Sequence, residues 1–304
     1  MTALPDSPAL AGMSTALDDL RSVVQGLVLH REWAADYGVE TGMLRVGEQN
    51  LRSAAEVLGR AFEISPEPAA AAREPADRVV GICWHFAVLY TALLRAQGSA
   101  ARVRCGFAGY FDAAKWYDHW ITERWDGDRW IRDDSQIDAR QAGRLHLGFD
   151  PHDQPPGRFL TGGEAWLAAR AGEVDPERFG IYDMWGMGFL AGNVVKDFAC
   201  LNKVELLPWD SWGMLRDPYR PPPKKHLAVL DEIAELAATD DLAAIRNRFE
   251  SDERLRVPQE IVSYTDGKPT RVQLPDLSGS CIRAVESQET SFPAAGSTGP
   301  GTPP

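Results

Sequence analysis

Between about Ser14 and Phe62 the apolar residues recur at helical spacing. Leu17, Leu20, Val24 and Leu27 form one stripe, and Leu51, Ala55 and Leu58 another. A proline-punctuated stretch, EISPEPAAAAREPAD, leads to GICWHFAVLYTALLRAQG, which predicts a helix starting at or beside Cys83. Phe86, Leu89, Tyr90, Leu93 and Leu94 make its apolar face, and Gln97-Gly98 its stop, because glycine accepts the left-handed backbone that closes many helices. The period then shortens to two. Ala101 to Phe107 alternates arginine with apolar residues, as a half-buried strand does, and DHWITERWDGDRWIRDDSQID reads as two more strands around a tight turn.

Residues 139–180 read as loop-rich, with a short helix from Glu164 to Ala171. Aromatic residues and glycine concentrate in IYDMWGMGFLAGN and LLPWDSWGMLRDPY, a content suited to core packing under irregular loops and also to a pocket wall. After the break at PPPKK, His226 to Ala238 predicts an amphipathic helix and Leu242 to Phe249 a shorter one. The expected fold is α+β, a cysteine helix packed on a mainly antiparallel sheet with helices on both sequence sides. One catalytic domain is expected over 14–265, with its motif core at 81–138 and a helical part at 226–250. Residues 1–13 are expected to be loose and 286–304 too polar and glycine- and proline-rich to pack.

Composition narrows the partners. The chain has 304 residues and a formal charge of −12, which argues against nucleic acid or an anionic membrane as the main partner. The opening MTALPDSPALAGMS lacks the basic and apolar regions of a signal peptide, and no apolar run approaches the roughly 20 residues needed to span a bilayer. The expectation is a soluble, cytoplasmic protein whose main partner is neither nucleic acid nor a membrane. Of the four cysteines, Cys83, Cys105, Cys200 and Cys281, none forms a CxxC pair, and a reducing compartment fits their spacing. Cys105 alternates with Val103 and Phe107 and reads as a small buried hydrophobe. No cofactor and no metal is expected: Asp150, His152 and Asp153 in FDPHDQ are adjacent polar residues of a proline-rich loop, and no glycine-rich phosphate loop is present.

Cys83 has the surroundings of a nucleophile. A helix N-terminus presents unpaired N–H groups and the positive end of the helix dipole to sulfur, which favours the thiolate. If Asp126-Gly127 is a two-residue hairpin turn, His119 lies directly opposite Asp134, about 5 Å away between Cβ atoms, and Asp133 falls on the reverse face. A slip of one residue would exchange the two aspartates. Cys83 then attacks a carbonyl, His119 carries the proton to the leaving group, and Asp134 orients the imidazole. The Cys83 N–H is a natural oxyanion donor, joined by an indole N–H from an unassigned tryptophan. Taken singly, each residue has a plainer reading as a buried thiol, a core histidine or a turn aspartate. Helix placement, chain order and register together favour the catalytic one.

These residues resemble the transglutaminase-like superfamily, within the papain-like cysteine enzymes. The resemblance is carried by Gly-x-Cys and the helix ending LLRAQG, by ARVRCGF, by DHWITERWDGDRW and by the aspartate before SQID. It implies that Cys83, His119 and Asp134 are nucleophile, base and orienting acid. More loosely, residues 20–265, with RFLTGGEAW and NKVELLPWDSWG, resemble bacterial transglutaminase-domain proteins. His85 departs from the group's usual carboxylate or polar residue, and Trp84 is bulky. Both, with Trp116, are candidates for substrate contact or for tuning the thiol. Ser135 stands where the wider superfamily commonly has proline. The implied chemistry is a Cys83 thioester formed from an amide, ester or thioester and resolved by an amine or by water. Two rivals remain at this stage, a catalytically silent binding module and a redox-sensing thiol.

Overall fold

A computed structural model of the chain describes residues 1–5, 7–10, 12–215, 219–265 and 267–275. Cys281 and the stretch 286–304 lie outside the described residues.

Helix α1 (Leu17–Leu27) is followed without a break by β1 (Val28–His30), then by three short 3₁₀ turns and α2 (Ala54–Ile64). Strand β2 (Val79–Gly81) feeds the cysteine helix α3 (Cys83–Ala96), and β3 (Ala101–Ala108), β4 (Trp116–Trp125) and β5 (Trp130–Asp133) follow. Then come α4 (Ala139–Arg144), β6 (Phe159–Thr161), α5 (Gly162–Ala171), β7 (Phe179–Ile181), β8 (Met184–Trp185) and α6 (Met187–Leu201). Strand β9 (Asp210–Ser211), helices α7 (Lys224–Ala237) and α8 (Leu242–Ser251), and the hairpin β10 (Glu260–Thr265) and β11 (Lys268–Gln273) complete the order.

The fold is α+β. The main sheet runs β6-β3-β4-β7-β8, with β5 pairing the far end of β4, and is antiparallel except where β7 runs parallel to the start of β4. Helix α3 packs on β3 and β4, and α1 and α2 pack on α3, around one core. Residues 83–94 of α3 are all buried, so the helix is enclosed on every side, as a central helix must be. A second core gathers α5, α6, α7 and α8 around Phe107 and Phe198. No helix among the described residues is long and apolar enough to cross a membrane.

Several elements depart from the sequence reading. The β4–β5 turn holds four residues, not two: Trp125 faces Trp130 and Thr122 faces Asp133. Asp126 explains the longer loop, since its Oδ1 accepts the N–H groups of Asp128 and Arg129, both at 2.8 Å, in a side-chain-stabilised turn. Residues 1–13 were expected to be loose. Instead the Met1 carbonyl accepts the Ala54 N–H at 3.0 Å, and Leu4, Leu10 and Met13 pack on the α3 core. The stretch MGFLAGN begins α6 rather than an irregular wall. The β10–β11 hairpin runs past residue 265, to Gln273.

Candidate active site

Strand β2 is buried along its length and hands over to α3 through Ile82, whose extended backbone (φ −132°, ψ 176°) makes it the residue before the first turn. Cys83 opens the helix and is 7 % exposed. The first turn is closed by His85, whose Nδ1 accepts the Ile82 N–H at 3.2 Å. Gly81 is obligatory: a Cβ there would sit 2.8 Å from Val28 Cγ1 and 3.0 Å from the His85 ring. The small residue in Gly-x-Cys therefore lets β1 lie flat against the entry to the cysteine helix.

His119 is fixed by β4 opposite Gly106 of β3, and Asp134 follows β5 by one residue. His119 Nε2 and Asp134 Oδ2 are 2.7 Å apart, with both side chains buried. The carboxylate is held from two more directions. Tyr110 donates its hydroxyl to Oδ2 at 2.5 Å and the Gln136 N–H donates to Oδ1 at 3.1 Å. Tyr110 and Phe111 meet the imidazole edge-on, with ring centroids 6.0 and 5.0 Å away. Cys83 is the imidazole's other hydrogen-bonding and charge partner. With Nε2 on Asp134, Nδ1 is the ring nitrogen left over.

Burial alone would lower the His119 pKa. The Asp134 charge and hydrogen bond, followed by Cys83, more than offset it and raise it to about 10. Burial likewise pushes Asp134 up, but His119, Tyr110 and Gln136 bring it below the ordinary carboxylate range. His119 is thus an imidazolium at neutral pH, and its stabilising pairing is complete below about 6.5 and lost as pH rises towards about 10. A histidine-resolved NMR titration should find His119 protonated well above pH 8. In Asp134→Asn, where burial remains without the opposing charge, it should deprotonate at or below about 6.5. An unshifted titration in both proteins would refute this pairing.

The neighbouring aspartate does something else. Asp133 is completely buried on the α3 side of the sheet, where Arg21 and Arg124 reach Oδ2 at 2.7 and 2.9 Å and the Tyr90 hydroxyl at 3.0 Å. His152 Nδ1 stands 3.2 Å from its Oδ1. That histidine, once weighed as a metal ligand, is a partner of Asp133. Among the described residues no cluster of three or more metal-binding side chains occurs.

The other candidates fall in different places. Trp84 and His85 are completely buried, ring against ring at 5.0 Å. Burial, partly offset by backbone hydrogen bonding, lowers the His85 pKa to about 3, as befits a neutral acceptor capping α3. Trp116 stacks on Phe179 at 5.6 Å, its ring filling the space that a side chain at Gly109 would take. Sequence reasoning missed Tyr110, His30 and Tyr182. Tyr182 is 63 % exposed and donates to Glu32 Oε1 at 3.1 Å, and burial, Glu32 and, least of all, Cys83 raise its pKa. Its strained left-handed φ of 53° was not legible in the sequence.

Residues 47–135 match the family model of the transglutaminase-like superfamily, so the chain carries a transglutaminase-like core. That class is one of cysteine-based acyl transferases and peptidases. The matched segment contains Cys83, His119, Asp134 and Tyr110 but not His30. No curated protein and no solved structure matches the chain.

Proposed function

We propose that the protein is a cysteine acyl-transfer enzyme that forms a thioester at Cys83 from an amide, ester or thioester. The reading rests on one observation above all. A buried imidazolium, held by Asp134 through Nε2, has the first residue of a buried helix as its other partner. In the first step a bond forms between Cys83 Sγ and the acyl carbon, the bond to the leaving group breaks, and His119 gives that group its proton. An amine or water then attacks the thioester, His119 takes up a proton, and the thiolate leaves.

An amine acceptor yields an amide and water yields hydrolysis. The narrow exposure of Cys83 and the rings of Tyr110 and Phe111 around His119 limit water at the acyl-enzyme, which favours aminolysis. The same narrowness favours a small molecule or a peptide over a folded protein as acyl donor. Intact-protein mass spectrometry after brief exposure to amides and acyl thioesters tests the reading. Wild type should gain an acyl mass at Cys83 and Cys83→Ala should not, and faster decay with added amines would mark a transferase. An identical mass pattern in both proteins would end the proposal.

A further inference from the structure

Five of the ten tryptophans are already engaged by other acceptors or enclosed in the core. Trp84 and Trp120 are enclosed in the α3 core, Trp166 donates to Asp231, Trp212 to the Leu255 carbonyl and Trp185 to the Tyr182 carbonyl. From the strand pairing and the ring's hydrogen bond we infer that His30 is the second oxyanion donor, acting with the Cys83 N–H on the carbonyl oxygen of the acyl group. This role rests on the acyl-transfer reading above.

Topology places the residue. Strands β1 and β2 are parallel, with His30 paired to Gly81, so both strands end at the same place. One ends in the cysteine helix and the other in His30, with neighbouring backbones about 4.8 Å apart. The missing side chain at Gly81 keeps β1 at that distance, because a Cβ would collide with Val28. The His30 ring lies 6.4 Å from that of Phe86, one turn into α3, and lines a small cleft with Phe86 and Gln136.

The ring's hydrogen bonding sets its chemistry. Nδ1 accepts the Glu32 N–H at 3.2 Å, so in the neutral ring the proton sits on Nε2 and that atom is a donor. Burial, then the charges of His119 and His85, lower the pKa of His30 to about 3, with Asp134 opposing. Between about pH 3 and about pH 10 the ring is thus neutral while His119 is charged, and it shares an electrostatic environment with both His119 and Asp134. A neutral fixed donor suits an oxygen that becomes negative only when the S–C bond forms. As that intermediate collapses the oxygen's electron pair re-forms the C=O bond, the leaving group departs with its bonding pair and takes the proton from His119, and His30 neither gains nor loses one. A pKa of about 3 and an occupied Nδ1 make it unfit as a base.

Two reactions of the same sulfur test this. Acylation by p-nitrophenyl acetate, followed as the p-nitrophenolate burst, builds an oxyanion, whereas alkylation by iodoacetamide at a saturated carbon does not. His30→Ala should acylate about 10²- to 10³-fold more slowly while Cys83 alkylates within about threefold of wild type. His30→Gln, which keeps an N–H donor, should recover part of the loss. Equal acylation of His30→Ala and wild type would overturn the role, and so would a parallel loss of alkylation, which would point to the thiolate or the fold. If wild type alkylates at Cys83 yet shows no burst, the acyl-transfer reading fails and the role of His30 fails with it.

Discussion

Asp134→Asn is expected to slow acylation of Cys83 by about 10³- to 10⁴-fold without unfolding the protein. An asparagine can still bond the His119 ring, but it selects the wrong tautomer and no longer balances the imidazolium. Asp133→Asn should do the reverse. It strips the charge facing Arg21 and Arg124 in a buried site, a loss of about 3–5 kcal/mol. The folded fraction should still acylate within about threefold of wild type. Single-turnover acylation and urea unfolding of both variants measure the two effects. If Asp133→Asn proved the inactive but stable one, the assignment of the neighbouring aspartates would be reversed.

The second large effect lies away from the cysteine. Arg104 on β3 is 3 % exposed and bonds both oxygens of Asp197 on α6, at 2.9 and 2.8 Å, and Glu123 on β4 at 2.8 Å. Arg104→Met should lower stability by about 3–5 kcal/mol, because Asp197 keeps only the Cys105 N–H as a described partner. Removing both charges, in Arg104→Met with Asp197→Leu, should recover much of it, since the pair is costly to break but replaceable as a whole. Urea midpoints of the single and double variants decide the matter, and a single-variant loss below about 1 kcal/mol would deny the network its role. Its pH signature is fixed in sign. Burial would raise the pKa of Glu123, but Arg104, Arg102 and Arg132 lower it to about 2. Its contribution is therefore present above about 4.5 and lost as pH falls towards about 2.

The sequence argument set Asp134 beside His119, where the two side chains lie 2.7 Å apart, yet it did so with the wrong turn. The loop has two more residues than supposed, and two residues are a full period of a strand. The face carrying Asp134 was therefore preserved while the residue directly opposite changed. Helix boundaries around α3, α5, α7 and α8 were legible because periodicity and stop signals agreed. Helix α6 was not, since it is buried on nearly every side and its glycines and aromatics imitate a loop. Tyr110 and His30 escaped for another reason. Each lies at or just beyond the end of a strand, and what brings it to the site is which distant segment arrives beside it, here Asp134 for Tyr110 and Gly81 for His30.

The pairing of β1 with β2 also bears on how much of the chain is one working unit. Residues 47–135, the part that matches the family, would lose β1 from one side of β2, β6 from the edge of β3, and Arg21 from Asp133. Two strands would be left with open hydrogen-bonding edges, which invite association with other chains. The matched segment is thus the centre of a larger folded unit rather than a module that can be cut out. Any graft, truncation or fusion of this protein has to keep residues 28–30 and 159–161 attached to it.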